Sequence, residues 1–393
     1  MAVTNRHYDI DWLRILVVAS LVPFHTARIF DIWEPNYVKN AELSDALSYF
    51  IAFLAVWNMP LLFLLAGAAS GYALNFRSGA AYLKERFKRL FIPLVFGVLV
   101  IVPPQAYIAR FQAPGYAESY GRFLLDYFNV RGDLTGYTGQ FTPAHLWFIF
   151  YLLIFSVAAL PLFAYLRRDR RLIEWLAREC DKSGTLLFLA VPVGIAGVLP
   201  DIGGKNPFYY FTLFLYGYVM TGDLRFQEAV DRNKARALML GSITMAATLT
   251  LWAMRMRFTA YSTGDVLFYL LRTFNMWFWI IVLLGYARKY LNRTNRFYAY
   301  ANEASYPFYV LHQTVIWTIG YFVVQWPVNL WIKFVVIAAS AFVITWLVYD
   351  LGIRRNNLTR CLFGMKGRTT TSGFGGLEAQ AVNEQKDIRD PST

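Results

Sequence analysis

Apolar runs long enough, or nearly long enough, to span a bilayer recur from one end of this chain to the other. They lie near 10–30, 47–74, 91–109, 145–166, 185–200, 208–220, 237–254, 266–287, 304–324 and 328–351. A spanning helix needs about 20 mostly apolar residues, because hydrocarbon leaves every backbone polar group to be satisfied within the segment. The sixth run is short, and Pro192 and Gly194 interrupt the fifth. The pattern predicts an all-α, polytopic transmembrane bundle of about ten helices with both termini cytoplasmic. Only 16% of the residues are charged, against about 25% in soluble domains, so there is too little polar surface for a large soluble domain. The 12 Trp, 26 Tyr and 33 Phe suit the aromatic belts at many headgroup crossings.

The basic residues test this layout. With the N-terminus inside, 27 of the 38 Lys and Arg fall on its side of the membrane and four fall within spans. The other side carries seven: Lys39, Arg110, Arg122, Arg131, Lys205, Arg255 and Arg257. This is the positive-inside asymmetry, and it accounts for the net charge of +13 without a nucleic-acid partner. The first run is too long for a signal peptide, contains Arg14 and lacks a small-residue cleavage site. The boundaries predict a membrane domain over 1–363 and a disordered cytoplasmic tail over 364–393. Cys180 and Cys361 fall in expected loop or tail regions, with no metal spacing and no expected disulfide. The longest outer loop, 110–144, is rich in Tyr, Gly and Phe. Its aromatic side chains suit either sugar faces or headgroups.

Arg14 and His25 share the first span. Eleven positions are three helical turns plus 20°, so both project from one face, about 16 Å apart along the axis. Ionisable groups inside a membrane are costly and mark functional sites by default. Histidine titrates near neutral pH and suits proton transfer from a hydroxyl. His145, at the outer start of the fourth span, and Arg272, in the outer half of the eighth, are candidates to converge with His25. His312 is expected deeper, nearer the cytoplasm, in a structural or substrate-binding role. In the second loop, Lys84, Arg86, Lys88 and Arg89 precede Pro93. Such a loop reflects topology alone or forms a phosphate clamp, since guanidinium binds phosphate bidentately.

Four stretches together carry a family resemblance: DIDWLRILVVASLVPFH, ERFKRLFIP, AHLWFIFYLL and ASYPFYVLHQTVI. The chain resembles the membrane acyltransferase-3 family, most closely its OpgC/MdoC-like, glucan-modifying branch. The pairs Arg14/His25 and Arg86/Arg89 match the family's hallmark pairs. The resemblance implies that an acyl group, succinyl or acetyl, moves from cytoplasmic acyl-CoA to a carbohydrate hydroxyl on the far side. It further implies that His25 is catalytic with Arg14 in support, and that Arg86 and Arg89, with Arg14, hold the donor. His145, Arg272 and His312 are then candidates for substrate binding, and no metal is expected. Many relatives carry a fused extracytoplasmic hydrolase-like domain, which is not expected in residues 352–393 of this chain. Expected partners are the carbohydrate acceptor and the bilayer, with glycan-synthesis proteins or a second copy of the chain as further candidates. The expected location is the cytoplasmic (inner) membrane of a bacterium. The alternatives are a transporter or flippase for a polar sugar or lipid, and a scaffold for a glycan-synthesis complex.

Overall fold

The computed structural model describes residues 7–33, 35–112, 115–130 and 134–368. In chain order the helices are α1 (Tyr8–Ala27), α2 (Asp45–Phe76), α3 (Gly79–Arg86), α4 (Ile92–Phe96), α5 (Pro103–Phe111), α6 (Tyr120–Tyr127), α7 (Trp147–Ala158) and α8 (Leu160–Arg168). There follow α9 (Arg171–Asp181), α10 (Ala190–Gly197), α11 (Pro207–Met220), α12 (Leu224–Ala253), α13 (Thr263–Tyr290), α14 (Arg296–Val323), α15 (Leu330–Leu347) and α16 (Asn357–Leu362). Side chains cap many starts: Ser44 for α2, Ser78 for α3, Ser262 for α13 and Asn295 for α14 each accept from a first-turn N–H. Among the described residues the one β-type pairing is an isolated bridge between Ile202 and Lys205.

Six helical segments are long and apolar enough to cross a membrane: α1, α2, Gly79–Phe111, α12, α13 and Leu330–Ile353. Helices α7 and α8 meet at 45° and count as a seventh if taken as one broken span. Pro161, in the first turn of α8, lacks the N–H that would continue the ladder and explains the bend. By these criteria there are six or seven spans, fewer than the ten expected. The fifth and sixth apolar runs fall on short helices, Thr185–Gly197 and the 14-residue α11. The ninth falls on α14, whose 28 residues begin with the polar stretch RFYAYANE.

The segment Gly79–Phe111 also differs from expectation. ERFKRLFIP is not a loop: π-helical turns at Phe87–Phe91 and Gly97–Ile101 join α3, α4 and α5 into one run. Pro93 sits in the first turn of α4, directly after a π turn, where its missing N–H interrupts no regular ladder. Cys180 and Cys361 likewise lie on helices, α9 and α16, the first buried and the second exposed, and both are free thiols.

Two seams organise the bundle. Along α2 and α11, a Cβ on Gly217 would stand 1.8 Å from the Leu64 carbonyl oxygen, and one on Gly67 would stand 1.9 Å from that of Phe214. The backbones touch because glycine carries no side chain there, which is how membrane helices pack when no hydrophobic effect drives them together. Along α1 and α14, Arg14 meets Asn302 and His25 meets Gln313, both 288 positions apart. A constant offset means that these helices run parallel and in register. Of the expected tail, Gly364 and Lys366 accept hydrogen bonds from Arg89 and Arg360 at 3.2 and 2.7 Å, so its start packs on the bundle. Residues 369–393 lie outside the described residues.

Candidate active site

The α1–α14 seam carries a polar cluster near each end. At the N-terminal end of α1, Arg14 Nη2 donates to Asp11 Oδ1 at 2.7 Å and also to Asn302 Oδ1. The Tyr298 hydroxyl donates to Asp11 Oδ2 at 2.6 Å, which completes a network tying α1 to α14. Across from it, Arg86 donates to Ser70 Oγ at 3.1 Å and lies over the Tyr82 ring at 5.1 Å. Tyr82 donates to the same Ser70 at 2.9 Å. Arg89 pairs with Glu85 at 3.4 Å. Arg14 and Arg86 are within electrostatic reach of Arg89, and Tyr306 stands beside Arg86 and Arg89. The Tyr306 hydroxyl is buried without a hydrogen-bond partner. The three guanidinium groups thus stand at one end of the seam, held in part by Ser70, Asn302 and Glu85.

Toward the other end, three histidines pack together. The His312 ring lies 5.2 Å from His25 and 5.1 Å from His145, centroid to centroid. The Gln313 amide stands between the other two, 2.8 Å from His145 Nδ1 and 3.3 Å from His25 Nδ1. His145 Nε2 meets the Val310 carbonyl at 2.9 Å, and Tyr309 donates to the His145 carbonyl. His312 Nδ1 donates to the Tyr309 carbonyl at 2.7 Å, which leaves its Nε2 a lone pair. That atom is buried and unpartnered, as are Trp317 Nε1 and Gln105 Nε2. Buried polar groups normally find partners; of these atoms, the Trp317 indole lies beside His25, ring to ring at 6.2 Å.

The segment after α1 and the segment between α6 and α7 meet at this end. Tyr37 packs tilted against Trp317 and edge-on to Tyr137, at 5.7 and 5.1 Å, and donates to the Thr135 carbonyl at 2.8 Å. Burial holds its phenol well above the ordinary range, so it remains a neutral donor. Gly136, at φ +72°, is where the loop turns: a Cβ there would stand 2.2 Å from Thr142 Cγ2. Helix α6 and its aromatic side chains pack on Ala106 rather than on the histidines.

A family model described as an acyltransferase domain (acyltransferase-3) matches residues 7–350. The chain belongs to the acyltransferase-3 family. It is 24% identical over 374 residues to glucans biosynthesis protein C of Escherichia coli strain SMS-3-5 / SECEC, covering 89% of this chain and 92% of that one. The proteins of the same name from E. coli O139:H28 and strain K12 are each 23% identical over the same shares. No solved structure matches the chain.

In this acyltransferase-3 chain the sequence-predicted residues meet different fates. Arg14, Arg86 and Arg89 share the basic end, and His25 and His145 come together through Gln313. His312 occupies the place expected for Arg272. It is neither deeper nor apart, because α14 starts at Arg296, well before the apolar run that suggested its depth. His145, directly before α7, is buried, and both its ring nitrogens are engaged within the protein. Arg272 is exposed on α13, 6.0 Å over the Trp252 ring and 5.9 Å over Phe268. Among the described residues it has no carboxylate partner and no contact with the histidines. Aromatic faces, which attract cations, account for its place. Sequence reasoning missed Gln313, Asn302, Trp317 and Gln105, since a single amide or indole in an apolar helix carries no spacing signal. Among the described residues, no three His, Cys, Asp or Glu side chains are grouped to hold a metal.

Proposed function

We propose that this protein is a transmembrane O-acyltransferase, moving an acyl group from cytoplasmic acyl-CoA to a hydroxyl of a periplasmic or surface glucan in the inner membrane of a bacterium. The observation that carries this reading is the α1–α14 seam. It has a cluster of three guanidinium groups near one end, which suits an anionic donor, and three packed histidines toward the other, with Arg14 and His25 on one face of one helix. In this reading all ten apolar runs cross the membrane: the parallel course of α1 and α14 requires an odd number of crossings between them, and seven apolar runs lie there. Both termini and the basic end face the cytoplasm, where acyl-CoA is found. The membrane domain is 1–363.

In this mechanism Arg86, Arg89 and Arg14 bind the donor's phosphates, and its pantetheine arm spans the rise of about 16 Å from Arg14 to His25. His25 takes the proton of the acceptor hydroxyl as its oxygen attacks the thioester carbonyl. The carbon–sulfur bond breaks, and the thiolate recovers the proton from the imidazolium. Gln105 and Trp317 lie on the acceptor side, where their unpartnered N–H groups suit sugar hydroxyls or the oxyanion. The name shared by the relatives supports a glucan acceptor, while the donor is acetyl-CoA or succinyl-CoA. Mass spectrometry of periplasmic and surface glycans, from cells with the protein, without it and with His25→Ala, tests this reading. The expected result is an added acetyl or succinyl mass in the first sample alone. Unchanged glycans across the three would overturn it.

A further inference from the structure

A main-chain carbonyl fixes the proton on His145, and Gln313 must satisfy the ring nitrogen that this leaves. The Val310 carbonyl, 2.9 Å from His145 Nε2, can only accept, so that nitrogen carries a hydrogen. A neutral imidazole has one such hydrogen, so His145 Nδ1 is a lone pair that needs a donor. What stands 2.8 Å from it is one end of the Gln313 amide, and the other end stands 3.3 Å from His25 Nδ1.

The amide has one accepting and one donating end, and a half-turn exchanges them without changing its shape. With the oxygen toward His145, two acceptors meet at 2.8 Å unless His145 carries a second proton. That would be a buried imidazolium with no carboxylate in ion-pair range among the described residues, which is an expensive state. Gln313 would then donate to His25 Nδ1, and His25 Nε2 would hold the hydrogen and be useless as a base. With the NH2 toward His145 Nδ1, every ring is neutral. The Gln313 oxygen accepts from His25 Nδ1–H, and His25 Nε2 is an open lone pair. This orientation forgoes a 3.3 Å contact from the His145 main-chain N–H. The 2.8 Å contact is the shorter and stronger of the two, and it decides.

We infer that Gln313 is a positioning residue that holds His25 in its Nδ1–H tautomer, with His145 serving to orient Gln313 rather than to touch substrate. The inference rests on the acyl-transfer reading for its catalytic consequence but not for its structural content. On one side stands His145, whose proton a main-chain carbonyl fixes, and on the other the proposed base, with one amide between them.

The test has two arms. In the first, ¹⁵N and ¹³Cδ2 NMR of histidine-labelled protein, with His25 signals assigned by their loss in His25→Asn, reads the tautomer directly. The expected wild-type state is Nδ1–H at His25 and neutral, Nε2–H at His145. A His25 hydrogen on Nε2, or a doubly protonated His145, overturns the inference. In the second, Gln313→Met keeps the shape and removes both hydrogen bonds, so kcat should fall about 100-fold while KM for acyl-CoA stays the same. Gln313→Glu, which still accepts from His25 Nδ1–H, should recover part of the loss and alter the pH profile. Full activity in Gln313→Met overturns the positioning role. If the wild type transfers no acyl group, the proposed function fails, whereas the tautomer stands or falls on the spectrum alone.

Discussion

Asn302 accepts a hydrogen bond from the Arg14 guanidinium, and Asp11 accepts a second from the same nitrogen at 2.7 Å. Arg14 is therefore aimed, although its side chain is 35% exposed. Replacing Asn302 by Leu removes one of two anchors, worth about 1 kcal/mol for a hydrogen bond of this kind. KM for acyl-CoA should rise about fivefold with kcat preserved, and Arg14→Ala should raise it further. Steady-state kinetics of the purified variants check this. A fall in kcat at constant KM would instead place Arg14 in the chemical step.

Gly217 lets α11 touch α2. A methyl group 1.8 Å from the Leu64 carbonyl oxygen must push the backbones apart, because no side chain is there to yield. Gly217→Ala should cost about 1–3 kcal/mol and lower the melting temperature in detergent. Gly121→Ala on α6, where nothing lies within 4 Å, should leave it unchanged. Equal melting temperatures would remove the α2–α11 seam from the fold's supports.

The two cysteines report on sidedness. Cys180 is buried, and burial pushes its thiol up to about 11. At pH 7.5 fewer than about one in a thousand of these groups are thiolate, the reactive form. An impermeant maleimide should label Cys361 alone, and only in inside-out vesicles. Labelling of Cys361 in right-side-out vesicles would reverse the proposed topology.

Arg272 lies over aromatic rings, away from the histidines. Arg272→Gln should change kcat/KM for either acyl donor less than about twofold. A large, donor-specific loss would bring Arg272 back to the site.

Much of this was legible in the sequence because helices impose a period. Eleven positions return to the same face, and both Arg14 and His25 do face α14. The all-helical class follows from the apolar runs, but their count does not. Hydropathy registers composition rather than packing, so α14, with Asn302 and Glu303 turned into protein contacts, reads as shorter than it is. That misreading displaced His312. Arg86 and Arg89 looked like loop residues because their stretch is basic and precedes a proline, yet the π turn before Pro93 lets the helix continue. Gln313 was invisible for a different reason: its role arises from carbonyls and rings on other turns.

The central claim is that the membrane helices themselves perform acyl transfer through His25. Its most direct measurement is the transfer of radiolabelled acyl groups by purified protein in liposomes, with acyl-CoA on the side of the basic end and glucan on the other. The account predicts label on the glucan with wild type and a loss of at least about 100-fold in His25→Ala, with that variant still folded in the membrane. Transfer that survives in His25→Ala, or glucan that crosses the bilayer without acquiring label, would contradict it.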